Sequence, residues 1–207
     1  MLKPLKDIPF NAVVKGLTGK EVLFFNHADG AHKELLKILK LSMRYAGKQI
    51  NKNGINRTRP NEVGNDVEKI VIDALTYSGI KAGVPQNKRG HRVSAGYPDI
   101  SFVYKNVNCY AECKTYNIGS ADTAFRSFYF SPSKNSKITQ DAVHLLLSFE
   151  MYVAGEYGNS RVYKCRNYKI LSIESLSLDV KHEFNSDNKR LYSGKDGAVL
   201  LAEGKIQ

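Results

Sequence analysis

The sequence predicts an α/β fold, a mixed central β-sheet flanked by helices with a mainly helical N-terminal extension. Three observations carry this. Residues 97–116 hold two apolar, β-branched and aromatic runs on either side of Lys105-Asn106, the pattern of a β-hairpin. Residues 142–151, from Ala142 to Met151, form a nearly continuous apolar run of strand length, as in a strand covered on both faces. Leu35, Leu36, Ile38, Leu39 and Met43, and again Val67, Ile70, Val71, Ala74 and Leu75, recur near helical spacing.

With 207 residues the chain is long enough for one domain with a sizeable core. It carries 31 Lys and Arg against 20 Asp and Glu, a net charge of +11. Such a balance favours a polyanionic partner, nucleic acid or an anionic membrane surface, over a neutral one. No apolar stretch reaches the roughly 18 residues of a membrane span, and lysines interrupt every apolar run in residues 1–25, so a cytoplasmic protein is expected. The three cysteines, Cys109, Cys113 and Cys165, read as buried thiols rather than a disulfide framework. No compact CxxC or histidine pair accompanies them, which argues against zinc.

Taken in order, residues 1–30 contain Ala12-Val13-Val14 and Val22-Leu23-Phe24-Phe25, split by Gly16 and Gly19, and support no firm assignment. A basic amphipathic helix of about 15 residues then follows Asp29-Gly30 and is expected to end at Gly47. Residues 48–61 are polar and turn-rich and read as a loop. The first 60 residues hold 12 Lys and Arg and 4 Asp and Glu, so most of the net charge lies there. Asn65 is a plausible cap for a helix over 66–77 that stops at Ser78-Gly79. A short strand near 81–86 leads into a loop carrying Lys88, Arg89, His91 and Arg92. Beyond the hairpin, a short helix near 121–129, the buried strand with His144 as a core residue, strands over 161–173, a short helix over 174–184 and a last strand at 198–201 complete the reading.

The hairpin carries chemistry. A turn centred between Lys105 and Asn106 sets Asp99 opposite Glu112, with Cβ atoms roughly 4.5–5.5 Å apart. Lys114, two residues past Glu112, points to the same side of the sheet. Mixed charges are common on surface hairpins, but these strands are mostly apolar and acids on them need a reason. Two carboxylates so close repel one another unless a cation compensates, and hard oxygen ligands suit Mg²⁺.

Pro98-Asp99, twelve residues, then Glu112-Cys113-Lys114 resembles the signature of the PD-(D/E)xK nuclease superfamily. The order of helix with acid, short strand, hairpin, helix and buried strand over about residues 62–150 resembles its restriction-endonuclease-like core. The resemblance implies Mg²⁺ on Asp99, Glu112 and the Cys113 carbonyl. Lys114 then orients the attacking water or acts as general base. It also implies an acid on the helix before the hairpin, binding a second metal or a metal-held water. Glu68 is preferred for that role, with Glu62 as the alternative, although the helix dipole favours an acid in the first turn in any case.

With its size and charge the chain looks like a type II restriction endonuclease. That implies double-stranded DNA as substrate, a homodimer cutting a short palindromic site, and a cognate DNA methyltransferase as functional partner without a stable complex. Residues 1–60 are then a DNA-binding and dimerisation region and residues 61–207 the nuclease domain. Lys52, Asn53, Asn56, Arg57, Arg59, Lys88, Arg89, His91, Arg92 and Lys134 are candidates for DNA contact, since Lys, Arg and Asn supply phosphate and base-edge contacts. The rival expectations are a repair, recombination or non-specific nuclease of the same fold and an inactive DNA-binding module. A basic RNA-binding protein is less compatible with acids on apolar strands and with the lack of an RNA-recognition signature.

Overall fold

The computed structural model describes residues 6–117, 119 and 128–180. Residues 9–177 form one compact unit, and residues 1–8 with 178–207 form another. In the second of these, the Asp7 N–H donates to Asp179 Oδ1 at 3.1 Å. Strands β1 (Ile8–Pro9) and β9 (Ser177–Leu178) make a separate two-stranded sheet.

The large unit is built on a seven-stranded mixed sheet. Its strands are β2 (Val22–Leu23), β3 (Ile55–Arg57), β4 (Ala82–Gly83), β5 (Ile100–Tyr104), β6 (Val107–Tyr116), β7 (Ala142–Tyr157) and β8 (Ser160–Ser172). The order is β3-β8-β7-β6-β5-β4, and β2 pairs in parallel with the start of β7. β6 and β7 are parallel, with Cys109 beside Val143 through to Tyr116 beside Glu150. β7 is the central buried strand that its apolar run predicts; it is longer than expected, and its last residues are exposed.

Three helices accompany the sheet. In α1 (Phe10–Thr18) the residues Phe10, Val14 and Thr18 recur every four positions and are all buried. The helix α2 (Gly30–Asn53) buries Leu35, Leu39, Met43, Ala46 and Ile50, and α3 (Val63–Tyr77) buries Val63, Val67, Val71, Ala74 and Leu75. These two stripes, with Ala111, Cys113, Leu145, Leu147, Phe149 and Cys165 of the sheet, form one core cluster. The N-terminal extension is therefore helical, and its longest helix is packed onto the sheet.

Four local expectations change. The helix expected to end at Gly47 runs on to Asn53, so Lys48–Asn53 are its last turns rather than loop. Gly47 is a packing residue: a Cβ there would meet Cys165 Sγ at 3.4 Å and the Phe149 ring at 3.6 Å. The stop is Gly54, at φ +66°, whose N–H donates to the Ile50 carbonyl. The remainder of 48–61 holds β3 and a 3₁₀ turn, Pro60–Glu62, which feeds α3 three residues before the expected start, so Asn65 is inside the helix and not its cap. Residues 174–180 form a turn and β9 rather than helix, and 181–184 lie outside the described residues. Most of the helix expected near 121–129, and the strand expected at 198–201, also lie outside the described residues.

Gly54 yields a stability prediction. A Cβ there would stand 2.6 Å from Val162 Cγ1, on a backbone that L side chains rarely adopt. Gly54→Ala is expected to cost about 2–4 kcal/mol, read as a fall in the thermal midpoint, from strain and overpacking together.

Candidate active site

The hairpin places the site. Lys105, at φ +50°, takes the corner, and the register runs from Tyr104 beside Val107 to Ile100 beside Ala111. One step further, the Asp99 N–H donates to the Ala111 carbonyl at 3.1 Å. Asp99 thus stands at the mouth of β5, across from Glu112. Its Oδ2 accepts a hydrogen bond from the Cys113 N–H at 2.9 Å, which fixes the carboxylate against β6. Lys114 Nζ lies 2.7 Å from Glu112 Oε1. The spacing of the motif therefore gathers two carboxylates and an amine.

Glu112 is only 5% exposed, and its second oxygen, Oε2, is buried with no partner among the described residues. Burial raises its carboxyl to about 7, the charge of Asp99 adds to the rise, and Lys114 opposes it. Glu68, half-buried on α3, is also raised, first by burial and then by Asp99. Glu62 is exposed at the start of α3, where its charge acts on Arg57. The charge of Asp99 thus acts on Glu68.

Lys137 is a member of this cluster that the sequence reading missed. It is 5% exposed, and its Nζ donates to the Gly96 carbonyl and, at 3.5 Å, to the Ser94 carbonyl. Burial lowers its pKa, while Asp99, Glu112 and Glu68 all act to raise it. It stands five residues before β7 in a segment with no motif, so nothing but its charge beside a buried strand marked it. Beneath Asp99, the Tyr97 hydroxyl pairs with His144 Nδ1 at 2.6 Å, with Phe10 packed edge-on against both rings. His144 is fully buried and its pKa is pushed down to about 4, so it is a neutral core residue.

The donor set fits a hard divalent cation. Glu112 Oε2 is a buried oxygen unsatisfied among the described residues, the charge of Asp99 disfavours that of Glu112, and the Cys113 carbonyl is on the same strand. Among the described residues no three His, Cys, Asp or Glu side chains gather to cage an ion by themselves.

The candidate DNA contacts fall in two groups outside the acid cluster. Lys52 and Asn53 end α2, Asn56 and Arg57 lie on β3, and Arg59 precedes the 3₁₀ turn; all are exposed. Arg57 is engaged by Asp66: its Nε and Nη2 donate to Oδ2 and Oδ1 of the carboxylate, each at 2.7 Å. Lys88, Arg89, His91 and Arg92 are exposed in the loop after β4, where Asn87 Oδ1 accepts from the Arg89 and His91 N–H groups, and Lys134 is exposed. β3 and β4 are at opposite edges of the sheet, so the two groups flank the hairpin from either side.

The model of the type II restriction enzyme MjaV family matches residues 4–195. The chain belongs to that family. It is 34% identical to the type II restriction enzyme MjaV of Methanocaldococcus jannaschii over 208 residues, covering 93% of this chain and 88% of the relative. No solved structure matches. As a member of the MjaV family the protein is a type II restriction endonuclease, a site-specific deoxyribonuclease with DNA as its substrate. Its mixed, helix-flanked sheet is consistent with the restriction-endonuclease-like core that the motif implies. No helix among the described residues is long and apolar enough to cross a membrane.

Proposed function

We propose that this enzyme makes Mg²⁺-dependent double-strand cuts with Asp99, Glu112 and Lys114 at the reacting centre. The observation that carries the reading is the opposed pair of a half-buried Asp99 and a buried Glu112, with Lys114 on the Glu112 carboxylate. Asp99, Glu112 and the Cys113 carbonyl would hold the cation, and Glu68 would support it from α3. When bound, the cation supplies positive charge that polarises the phosphodiester and acidifies water. Asp99 is held ready for this by the Cys113 N–H, at no cost in reorganisation. Lys114 is free to turn from Glu112 to the attacking water and the phosphate once the carboxylate is neutralised, and offsets the charge that builds there.

Each chain supplies one such cluster among its described residues and a duplex has two strands. We therefore read the active form as a homodimer whose two-fold axis matches a short palindromic site. Lys52, Asn53, Asn56, Arg59, Lys88, Arg89, His91, Arg92 and Lys134 are the proposed DNA contacts at the two edges. Arg57 joins them only if it leaves Asp66, whose double contact disfavours that. A cognate methyltransferase acting on the same sequence would protect host DNA in the cytoplasm.

Sequencing the ends of plasmid fragments, with sedimentation of the enzyme on DNA, tests this part. The expected result is one palindromic sequence and two chains per duplex; an asymmetric site cut by a monomer would refute it. Glu68→Gln is expected to lower the cleavage rate about ten- to a hundred-fold, the range for groups that support a metal site, and Glu62→Gln to leave it within about two-fold. Single-turnover rates read the difference, and the reverse ranking would move the helix acid to Glu62.

A further inference from the structure

The two faces of the sheet are treated differently. Ala111, Cys113, Leu147 and Phe149 point to the side covered by α2 and α3. The alternate residues of β6 point the other way: Glu112, Lys114 and Tyr116. The register carries that face across the sheet, from Lys114 to Ser148 to Lys169, and from Tyr116 to Glu150 to Asn167. A bulge between Glu150 and Met151 leaves Arg166 as the extra residue of β8. Bulges re-aim side chains, and here Arg166 lies with its guanidinium 4.6 Å from the centre of the Tyr152 ring. Lys169 is held in the same way, with Nζ 5.2 Å from the centre of the Tyr116 ring. Both cations are exposed, neither is in an ion pair among the described residues, and Glu150, the acid between them, is buried and accepts from Asn167 Nδ2 at 2.9 Å.

We infer that Lys169 and Arg166, with the tyrosines that hold them, bind the sugar–phosphate backbone of DNA on the side of the scissile bond towards β8. This rests on the nuclease reading above and extends it. The face begins at Lys114, carries two cations in fixed places, and lies opposite the one packed against α2 and α3. Its charge complements phosphate. Each cation is anchored by a ring rather than by a carboxylate, so it meets the anion without first breaking an ion pair. Because these contacts are to backbone, they position the duplex and do not read sequence. Lys169 and Arg166 are substrate-positioning residues, not catalytic ones.

The test compares K169Q and R166Q with the wild-type enzyme and with K37Q, a lysine on the exposed side of α2. Binding to a cognate duplex in EDTA is measured as a function of salt, and cleavage is measured in Mg²⁺ with kcat and KM separated. Each of K169Q and R166Q is expected to reduce the slope of log affinity against log salt by about 0.9, the change when one phosphate is no longer neutralised. KM should rise about ten-fold at low salt with kcat unchanged, and binding should weaken equally on cognate and non-cognate sequences. K37Q should match the wild type in every measurement. Slopes and KM values at wild-type level in both variants would overturn the inference and leave the nuclease reading intact. Failure of the wild-type enzyme to cut DNA in the same assay would instead refute the reading on which the inference rests.

Discussion

Glu112→Gln is expected to abolish cleavage, by at least about a thousand-fold, and at the same time to raise the thermal midpoint of the metal-free enzyme at pH 8. Both outcomes come from one carboxylate. In the unfolded chain Glu112 ionises near its ordinary value of 4.5; in the folded enzyme burial and Asp99 raise it to about 7. Between those values the folded state binds the extra proton, so stability falls as pH rises through that window and levels off above about 7. The stability lost at pH 8 is on the order of 3 kcal/mol, and Gln, which carries no charge, does not lose it. The gain of the variant over wild type should shrink as pH falls and vanish below about 4.5, where both side chains are neutral. Mg²⁺ should raise the midpoint of the wild type more at pH 8 than at pH 6, because a cation binds the ionised carboxylate, and should do little for the variant. Melting curves across pH, with Mg²⁺ and with EDTA, check all of this. A variant less stable than wild type at pH 8 in EDTA would contradict the account of Glu112 as a strained, buried acid.

Lys114→Met is expected to lower the single-turnover cleavage rate about a hundred- to a thousand-fold while leaving DNA affinity within a few-fold. The lysine is about 29% exposed at its side chain and touches Glu112, so its removal opens no large cavity. Its loss also withdraws the ammonium that opposes the rise of the Glu112 pKa, so the remaining activity should require higher pH than the wild type. Lys114→Arg should not restore the rate, because a planar guanidinium cannot take the place of a compact ammonium beside a carboxylate and a water. Full activity in Lys114→Met, with affinity and fold intact, would remove Lys114 from the mechanism.

Much of the site was legible because a β-strand has a period of two and a short turn fixes register. Once Lys105-Asn106 is the corner, the placement of Asp99, Glu112 and Lys114 follows by counting, and the observed register agrees. The buried strand β7 was legible from composition alone. The helix boundaries were not. Gly47 looks like a helix stop in sequence, and only the approach of Cys165 and Phe149 shows that its missing side chain is needed for packing. Lys137 was invisible for a different reason. Its partners are the carbonyls of Ser94 and Gly96, about forty residues away, and backbone acceptors leave no mark on a sequence. The row from Lys114 to Lys169 was hidden likewise, since it depends on the order of β6, β7 and β8 and on a bulge.

The most direct test of the central claim is a digest of plasmid DNA by the purified enzyme and by Asp99→Asn, each in Mg²⁺ and in EDTA. Discrete fragments are expected from the wild type in Mg²⁺ alone, and none from Asp99→Asn although it still binds the plasmid. Fragments from the wild type in EDTA, or the same fragments from Asp99→Asn, would contradict a metal-dependent centre built on Asp99.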